Sequence, residues 1–311
     1  MLGKTKTQMT SALEVFAGGA CYGANATMYK LAYADGFSWP QVVGCQMWFA
    51  AVLFGIVMVA SCFLGKRLVS LEKTTVLKLM GLGALSCVTA ILYCFAMSRL
   101  PVAVALTLLF QFTWIGLVIQ VAITHRPPRP TEIIACIIIL GGTVLASNVY
   151  KIGLSGFDPI GIVCGFMSAV SCALFVALSG RVQPSCSSAQ RGFIVCLGSG
   201  LASLFVCPDF LISGVIFEGI ARYGFVIGLF GMLLPVLLFG LGAPNLPAGV
   251  STALAASELP AGLIISMTIL KDDICAMQWV GVVAILLGVV VSQLRFGSIA
   301  AHMDKDAPCP Q

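Results

Sequence analysis

The sequence predicts an all-α integral membrane protein with ten transmembrane helices, arranged as two inverted repeats of five helices each. Three observations support this fold class. Hydrophobic residues make up 59% of the 311 residues and charged residues only 9%, whereas a soluble domain carries about a quarter charged residues. Apolar runs long enough for a membrane-crossing helix, about 20 residues, recur along the whole chain. Two matching stretches of sequence are also separated by five such runs, which is an odd number.

Polar or turn-forming residues divide the chain into ten apolar spans with short connectors. One span and its connector occupy about 30 residues, so ten of them fill the chain without an extramembrane domain. Very short connectors, such as Pro244-Asn245, force the neighbouring helices to run antiparallel. The predicted spans are 11–32, 41–64, 77–97, 101–123, 132–149, 159–180, 191–207, 223–243, 246–270 and 276–295.

Lysine and arginine residues are distributed unequally between the connectors. With the N-terminus in the cytoplasm, twelve lie on the inner side and four on the outer side. Because inner loops retain positive charge, we expect a multi-pass protein of the cytoplasmic membrane with both termini in the cytoplasm. The net charge of +5 reflects this topology, and no nucleic-acid partner is expected. The four outer residues are Arg99, Lys151, Arg222 and Lys271.

The thirteen cysteines do not follow a metal-binding pattern. Most lie inside apolar runs, where a thiol behaves as a small hydrophobic side chain. The two histidines, His125 and His302, lie in polar segments, and no Cys-x-x-Cys pair occurs. We therefore expect neither a structural metal nor a cofactor. An intramembrane enzyme needs a nucleophile with a base, or a metal, and the spans contain no histidine, which argues against an enzyme.

Two stretches of the chain match at an offset of 146 residues. Leu100–Val104 aligns with Leu246–Val250, and Gly142 aligns with Gly288. Since five spans separate the copies, the second copy enters the membrane from the opposite side. Inverted repeats are a recurrent plan of secondary transporters, whose sites lie at the repeat interface near the bilayer midplane. The predicted domains are a first repeat at 1–150 and a second repeat, with a short cytoplasmic tail, at 151–311.

Further motifs accompany the repeat. Tyr22-Gly23-Ala24-Asn25 precedes Lys30 in the first span, both fourth spans begin with Leu-Pro, and Glu258-Leu259-Pro260 is followed by Asp272-Asp273. In this order and spacing, the motifs resemble the drug/metabolite transporter superfamily, and specifically its EamA-type branch, along nearly the whole chain. The resemblance implies a ten-helix transporter. Cargoes in the superfamily range over amino acids, other metabolites and cationic drugs, and they are usually exported.

The chain departs from the family pattern at two places. Gln46 stands where the second helix of family members often has an arginine. In the first repeat, Trp114 replaces the proline, and Phe112 stands at the position that aligns with Glu258 of the second repeat. These changes remove charge and add aromatic surface near the expected cavity. The resemblance therefore leaves the identity of the cargo open.

Polar and helix-breaking residues of several spans fall at a similar depth. With a rise of ~1.5 Å per residue, Glu258 lies ~18 Å into its span and Gln111 ~15 Å, in a core ~30 Å thick. Tyr22 and Asn25 lie at ~16–21 Å on one face of the first helix, and Pro235 lies in the same layer. We therefore expect one central cavity. The resemblance assigns its lining to the first, third, fourth, sixth, eighth and ninth helices.

Each of these residues also has a structural interpretation. An intramembrane carboxylate is a functional candidate by default, yet Glu258 is also consistent with a structural acid satisfied by a hydroxyl of Ser257 or Thr252. The prolines kink helices, the aromatic side chains pack, and a lysine near a helix end snorkels to the interface. The candidate substrate-binding or coupling residues are Glu258, Tyr22, Asn25, Gln111, Tyr93, Trp114 and Lys30, with helix breaks at Pro235 and Pro260.

The expected function is secondary active transport, with export of an amino acid or of a cationic or zwitterionic drug-like solute. Transport is expected to be either proton-coupled or facilitative, because no phosphate-binding loop for ATP occurs in the sequence. The alternatives are an uptake carrier or exchanger of the same fold, or a non-transporting receptor or interaction protein. The expected partners are a small-molecule substrate, membrane lipid and, if transport is coupled, a proton. The protein is expected to be a monomer or a weak homodimer.

Overall fold

The computed structural model describes residues 2–65, 68–125, 130–146, 156–179, 182, 186–246, 254–271 and 273–293. Lys151, Pro247–Val250, Thr252, Asp272 and His302, which figure in the sequence analysis, lie outside these ranges. The α-helices are α1 Leu2–Ala34, α2 Trp39–Phe63, α3 Lys73–Arg99, α4 Val102–Leu109, α5 Phe112–Thr124, α6 Pro130–Ala146, α7 Pro159–Ser179, α8 Ser188–Ser203, α9 Ile220–Gly228, α10 Leu234–Gly242, α11 Glu258–Ile265 and α12 Ala276–Gln293.

Shorter helical turns connect some of these helices, and the described residues contain no β-strand. Short 3₁₀ turns lie at Pro208–Leu211, Val215–Glu218 and Ala243–Asn245. Two π-helical turns lie inside the apolar spans, Leu229–Leu233 between α9 and α10 and Ser266–Leu270 after α11. Single π-turns of this kind are rare in α-helices and are frequent at functional sites.

Many of the described helices are long and apolar enough to cross a membrane. Five meet this standard by length and composition, and three are apolar but shorter. The protein is therefore a multi-pass, all-helical membrane protein. Each of these eight helices overlaps one of the predicted spans. The five are Trp39–Phe63, Lys73–Arg99, Val102–Ile119, Pro159–Ser179 and Ile220–Asn245, and the three are Ile133–Ala146, Glu258–Leu270 and Ala276–Val291.

Capping residues fix two helix ends on one side of the bundle. α1 ends before Gly36, whose φ of +90° is accessible to glycine at little cost. The N–H of Phe37 bonds to the carbonyl of Ala32 at 3.1 Å, as in a Schellman motif. α7 begins after Asp158, whose Oδ1 accepts a hydrogen bond from the N–H of Ile160 at 2.8 Å, as expected for an N-cap aspartate.

Helices of one half pack mainly against helices of the other half, and each contact recurs when the two halves are interchanged. We call this an exchanged pattern. α3 packs against α7 and α8, while the equivalent α9–α10 segment packs against α1 and α2. α4 and α5 contact α7, and their counterpart α11 contacts α1 in the same way. α2 meets α8, and α6 meets its own counterpart, α12. The main buried apolar cluster accordingly draws on both halves, including Tyr29, Leu106, Leu259 and Ile285.

Repeat-related glycines allow α6 and α12 to approach closely. A Cβ on Gly142 would lie 2.8 Å from the carbonyl oxygen of Gly281. A Cβ on Gly288, the residue that aligns with Gly142, would lie 3.1 Å from the carbonyl oxygen of Ala135. Small residues at such positions bring helix backbones together in lipid, where packing drives association. The two aligned glycines therefore lie in one shared interface.

The fourth and ninth spans are interrupted at equivalent positions. The helix is broken at Phe110–Gln111 in the first half and at Ala256–Ser257 in the second, 146 residues further on. The offset found in the sequence therefore extends to the backbone hydrogen bonds at the two breaks. The N–H groups of Gln111, Thr113 and Ile115 bond to the carbonyls of Leu108, Phe110 and Gln111, and those of Ser257, Leu259 and Ala261 bond to Leu254, Ala256 and Ser257.

The two breaks have different causes. Pro260 lacks an N–H group, and its ring clashes with the carbonyl four residues earlier, so the helix is interrupted before it. Trp114 stands at the equivalent position, and there side chains hold the break. Its indole Nε1 donates to Gln111 Oε1 at 2.7 Å. Gln111 Nε2 donates to the carbonyl of Thr107 at 2.9 Å and to the hydroxyl of Thr143 at 2.6 Å.

Candidate functional site

Ionisable groups from five helices meet near Glu258, the first residue of α11. Glu258 is half-buried, and its carboxylate lies deep inside the helix bundle. Tyr22 on α1, Tyr93 on α3 and Cys172 on α7 lie close enough to interact electrostatically with this carboxylate. Cys196 on α8 lies close to Tyr22. We refer to these five residues as the central polar cluster.

The carboxylate of Glu258 lies at the N-terminus of a half-helix inside an apolar span. The dipole of a helix N-terminus favours a negative charge there. Enclosure acts in the opposite direction, because a buried charge without a partner is costly. Among the described residues, no ion pair and no hydrogen bond involves this carboxylate, and both ion pairs lie elsewhere. The arrangement thus presents an acceptor to a cation or a proton.

Small residues of α1 bring the central polar cluster together. A Cβ on Gly19 would lie 2.4 Å from the hydroxyl oxygen of Ser257, and a Cβ on Gly23 would lie 2.7 Å from the carbonyl oxygen of Glu258. α1 therefore contacts the break in the ninth span directly. The Ser257 hydroxyl donates to the carbonyl of Phe16 at 2.8 Å, so it joins these two helices and does not satisfy Glu258.

Two predicted site residues carry buried polar atoms that have no hydrogen-bond partner among the described residues. These atoms are Oδ1 of Asn25 and the hydroxyl of Tyr93. The Asn25 amide lies against Gly231 in the π-turn of the eighth span, where a Cβ would be 2.2 Å from Nδ2. Buried polar groups in proteins are normally hydrogen-bonded. Each of the two atoms therefore retains an unused capacity for a hydrogen bond inside the bundle.

Tyr29 and Gln46 extend this polar region, and the sequence analysis did not select them as site residues. The Tyr29 hydroxyl donates to Gln46 Oε1 at 2.9 Å, and both side chains are buried. The ring of Tyr29 meets that of Tyr93 edge-on, with centroids 6.0 Å apart. The spacing of Tyr22, Asn25 and Tyr29 places them on one face of a helix, and this periodicity was a usable signal. Cys172 and Cys196 gave no such signal, because cysteines in apolar runs look like packing residues.

The other predicted residues lie outside the central polar cluster. Both amide N–H groups of Gln111 are used in the first-repeat break, and the Trp114 ring lies 6.3 Å from that of Phe166. These contacts fit the structural interpretation of both residues. Lys30 directly follows Tyr29 on α1 and projects about 100° away from it. Pro235 is buried immediately after the π-turn of the eighth span.

The set of helices around Glu258 differs from the expected one. The first, third, sixth and ninth spans contribute side chains to the central polar cluster, and all four are among the helices named for the lining. The seventh span, which was not expected to line it, contributes Cys196. The fourth span contributes Gln111 to the helix break, and the eighth contributes Gly231 against Asn25.

An all-helical bundle with two related halves and a polar centre between them defines a multi-pass membrane protein of the transporter type. The model of the EamA-like transporter family matches residues 9–148 and again residues 159–294. The chain therefore belongs to this family, which is part of the drug/metabolite transporter superfamily. The resemblance inferred from the sequence is confirmed.

One protein whose crystal structure is known has a similar fold. It matches 92% of this chain and 98% of that chain, with a TM-score of 0.61 and 14% sequence identity. At this identity the similarity shows the fold alone. No curated protein sequence matches the chain.

Proposed function

We propose that the protein is a secondary active transporter with ten membrane-crossing helices in two inverted repeats and with both termini in the cytoplasm. Three findings support this proposal. The chain belongs to a transporter family, the helix breaks recur at the sequence offset of the repeats, and the two halves pack in an exchanged pattern. The excess of basic residues on one side supports the orientation in a cytoplasmic membrane.

The proposed substrate is a cationic or zwitterionic solute, such as an amino acid or a cationic drug-like molecule. The single observation that carries this proposal is the carboxylate of Glu258, which lies deep inside the bundle and has no ion pair or hydrogen bond among the described residues. Tyr22 and Tyr93 interact electrostatically with this carboxylate, and the faces of tyrosine rings attract ammonium groups. The Tyr93 hydroxyl and the Asn25 amide offer hydrogen bonds to polar atoms of the substrate.

The proposed energy source is the proton gradient, acting through Glu258. Burial of a carboxylate disfavours its ionised form, whereas a cation bound next to it favours that form. Substrate therefore binds as the proton leaves, and the empty carrier returns with Glu258 protonated and neutral. This cycle exchanges one solute molecule for one proton, as is required for export driven by an inward proton gradient.

Flux through proteoliposomes that contain only this protein tests the proposal. Thermal stabilisation of the purified protein by amino acids and organic cations first selects candidate solutes. A selected solute should then move in the direction opposite to an imposed proton gradient. Movement in the same direction as protons would indicate the uptake alternative, and movement independent of protons a facilitative carrier. If no stabilising solute moves at all, the protein is a non-transporting receptor and the proposal is wrong.

A further inference from the structure

Two ion pairs join the halves of the molecule at the same end of the bundle. Asp35, which follows α1, pairs with Arg222 in the first turn of α9. Arg99, the last residue of α3, pairs with Asp158 at 2.5 Å, just before α7. Each pair links a residue of the first half to one of the second. The two interfaces that they join, α1 with α9 and α3 with α7, are equivalent under exchange of the halves.

The Arg99–Asp158 pair is held in place by its surroundings. Oδ1 of Asp158 caps α7 through the N–H of Ile160, which leaves Oδ2 for the arginine. The guanidinium of Arg99 lies 4.7 Å from the centroid of the Phe95 ring, one turn earlier on α3. A pair with both partners positioned in this way loses less side-chain entropy on forming than two free surface side chains do.

The Asp35–Arg222 pair is positioned in a similar way. Asp35 directly precedes Gly36, at the capped end of α1. Its Oδ2 accepts a second hydrogen bond, from the Tyr223 hydroxyl at 2.5 Å. The guanidinium of Arg222 lies 4.8 Å from the centroid of the Tyr223 ring. Each acid is therefore fixed at a helix end, and each arginine is stacked on an aromatic ring.

The opposite end of the bundle is joined by neutral groups. The Gln190 side chain on α8 makes two hydrogen bonds to the backbone of Val69, at 2.7 and 3.2 Å. Asn245 Nδ2 donates to the hydroxyl of Ser11 at 3.1 Å. No ion pair links the halves at that end among the residues that the structure describes. An inverted repeat makes its two ends equivalent in architecture, and the charged contacts remove this equivalence.

We propose that Asp35–Arg222 and Arg99–Asp158 together form an ionic gate that holds this end of the bundle closed and sets the resting conformation. Opening this end separates α1 from α9 and α3 from α7, so both pairs break together. The gate rests on the proposed transport function for its place in a transport cycle, where it closes the outer end. Its contacts do not depend on the identity of the solute.

The expected strength of the gate is modest. The side chains are 42% and 27% exposed in the Arg99–Asp158 pair, and 66% and 41% exposed in the Arg222–Asp35 pair. Pairs with this exposure shift an equilibrium by about two- to five-fold each. Salt screens such pairs. The gate therefore biases an equilibrium between closed and open forms, and it does not lock the protein.

Hydrogen exchange on the full chain in lipid nanodiscs, without substrate, tests the gate. Asp35→Asn removes one charge, and Asp158→Asn removes the other while keeping a good N-cap residue. Each variant should raise exchange about two- to five-fold at both junctions, α1 with α9 and α3 with α7, and should lower it around Val69 and Gln190. The double variant Asp35→Arg with Arg222→Asp reverses the charges of this pair and should restore the wild-type pattern of hydrogen exchange. Glu218→Gln, a neighbouring exposed acid outside both pairs, is the matched control and should change nothing.

Hydrogen exchange at the junction far from the substituted residue decides whether the two pairs form one gate. If Asp35→Asn raises exchange only beside residue 35, and the α3–α7 junction and the opposite end stay unchanged, the two pairs do not form one gate. Failure of the exchanged double variant to restore the pattern would also overturn it. Because no solute is present, a protein without transport activity still reveals its gate. Loss of flux with normal exchange, conversely, counts against the transport proposal alone.

Discussion

Gly23 of α1 lies directly against Gly262 of α11, so closely that a Cβ on Gly23 would stand 2.6 Å from the Gly262 backbone nitrogen. The same Cβ would lie 2.7 Å from the carbonyl oxygen of Glu258. This contact therefore places the first helix of one half against the half-helix of the other half that begins with Glu258. The position of Glu258 depends on the absence of a side chain at residue 23.

Gly23→Ala should destabilise the protein, because backbone atoms of α11 cannot move aside without displacing Glu258. Overpacking of this kind costs about 1–3 kcal/mol. Gly81→Ala is the matched control, since no atom lies within 4 Å of a Cβ built there; it should not destabilise the protein, because alanine is favoured over glycine in a helix by up to about 1 kcal/mol. Unfolding in detergent micelles measures both values. Equal stability of the two variants would show that α1 and α11 are not in close contact.

The side chains at the first-repeat break should act as a unit. Gln111→Leu leaves the Trp114 indole and the Thr107 carbonyl without their partner, at a cost of about 1–3 kcal/mol. Trp114→Phe removes the indole donor and should cost about 1 kcal/mol. The double variant should cost less than the sum, because neighbouring residues in one network are coupled. Additive losses in an unfolding experiment would indicate that the hydrogen bonds between these residues do not hold the break.

The positions of the helices could be predicted from the sequence, but the interruptions could be predicted only in part. Hydropathy places the second span at 41–64 and the structure places α2 at Trp39–Phe63, because length and apolarity are local properties. Pro260 predicted the break in the ninth span from the sequence, since a proline interrupts the helix in which it lies. The break at Phe110–Gln111 has no proline. It depends on Gln111 reaching Thr143 on another helix, which no local pattern encodes.

The candidate site shows the same division. Depth along the spans correctly grouped Tyr22 with Glu258, because rise per residue converts sequence position into depth. Depth does not indicate direction, so Gln111 was grouped with them although its amide faces Thr107 and Thr143. The ion pair of Asp35 and Arg222 joins residues 187 positions apart. Such pairing follows from the way the two halves pack together. The sequence alone shows two charged residues near helix ends and does not indicate that they meet.

The proposed orientation, with both termini in the cytoplasm, predicts which loops are accessible from outside. A thiol introduced as Gly156→Cys should react with a membrane-impermeant reagent added to intact cells, and one introduced as Lys73→Cys should be spared. Both substitutions belong in a background in which the exposed Cys62 is replaced by serine, and the labelling of that background is subtracted. The reverse pattern would invert the topology and place the Asp35–Arg222 and Arg99–Asp158 pairs on the cytoplasmic side.

The Arg99–Asp158 pair should be insensitive to pH across the physiological range. The hydrogen bond from Arg99 holds the pKa of Asp158 below its ordinary value of 3.8. A lowered pKa in the folded state stabilises the protein above the ordinary value, and this contribution is lost as the pH falls through the folded value. The melting temperatures of wild type and Asp158→Asn should therefore differ by a constant amount from pH 8 to about pH 5, and the difference should shrink as the pH falls below the ordinary value of 3.8. An Arg99→Gln background should reduce the difference, and a difference that grows on acidification would contradict the assignment.

The role of Glu258 is tested most directly by flux measurements on three purified variants with a solute that stabilises the protein. Glu258→Gln keeps the size of the side chain but can neither ionise nor exchange a proton, so proton-driven flux should be lost. Glu258→Asp should retain part of it, and Glu218→Gln, which changes an exposed carboxylate near the bundle end, should retain all of it. If folded Glu258→Gln protein transports the solute against the proton gradient as wild type does, with the same pH dependence, Glu258 is a structural residue and the account is wrong.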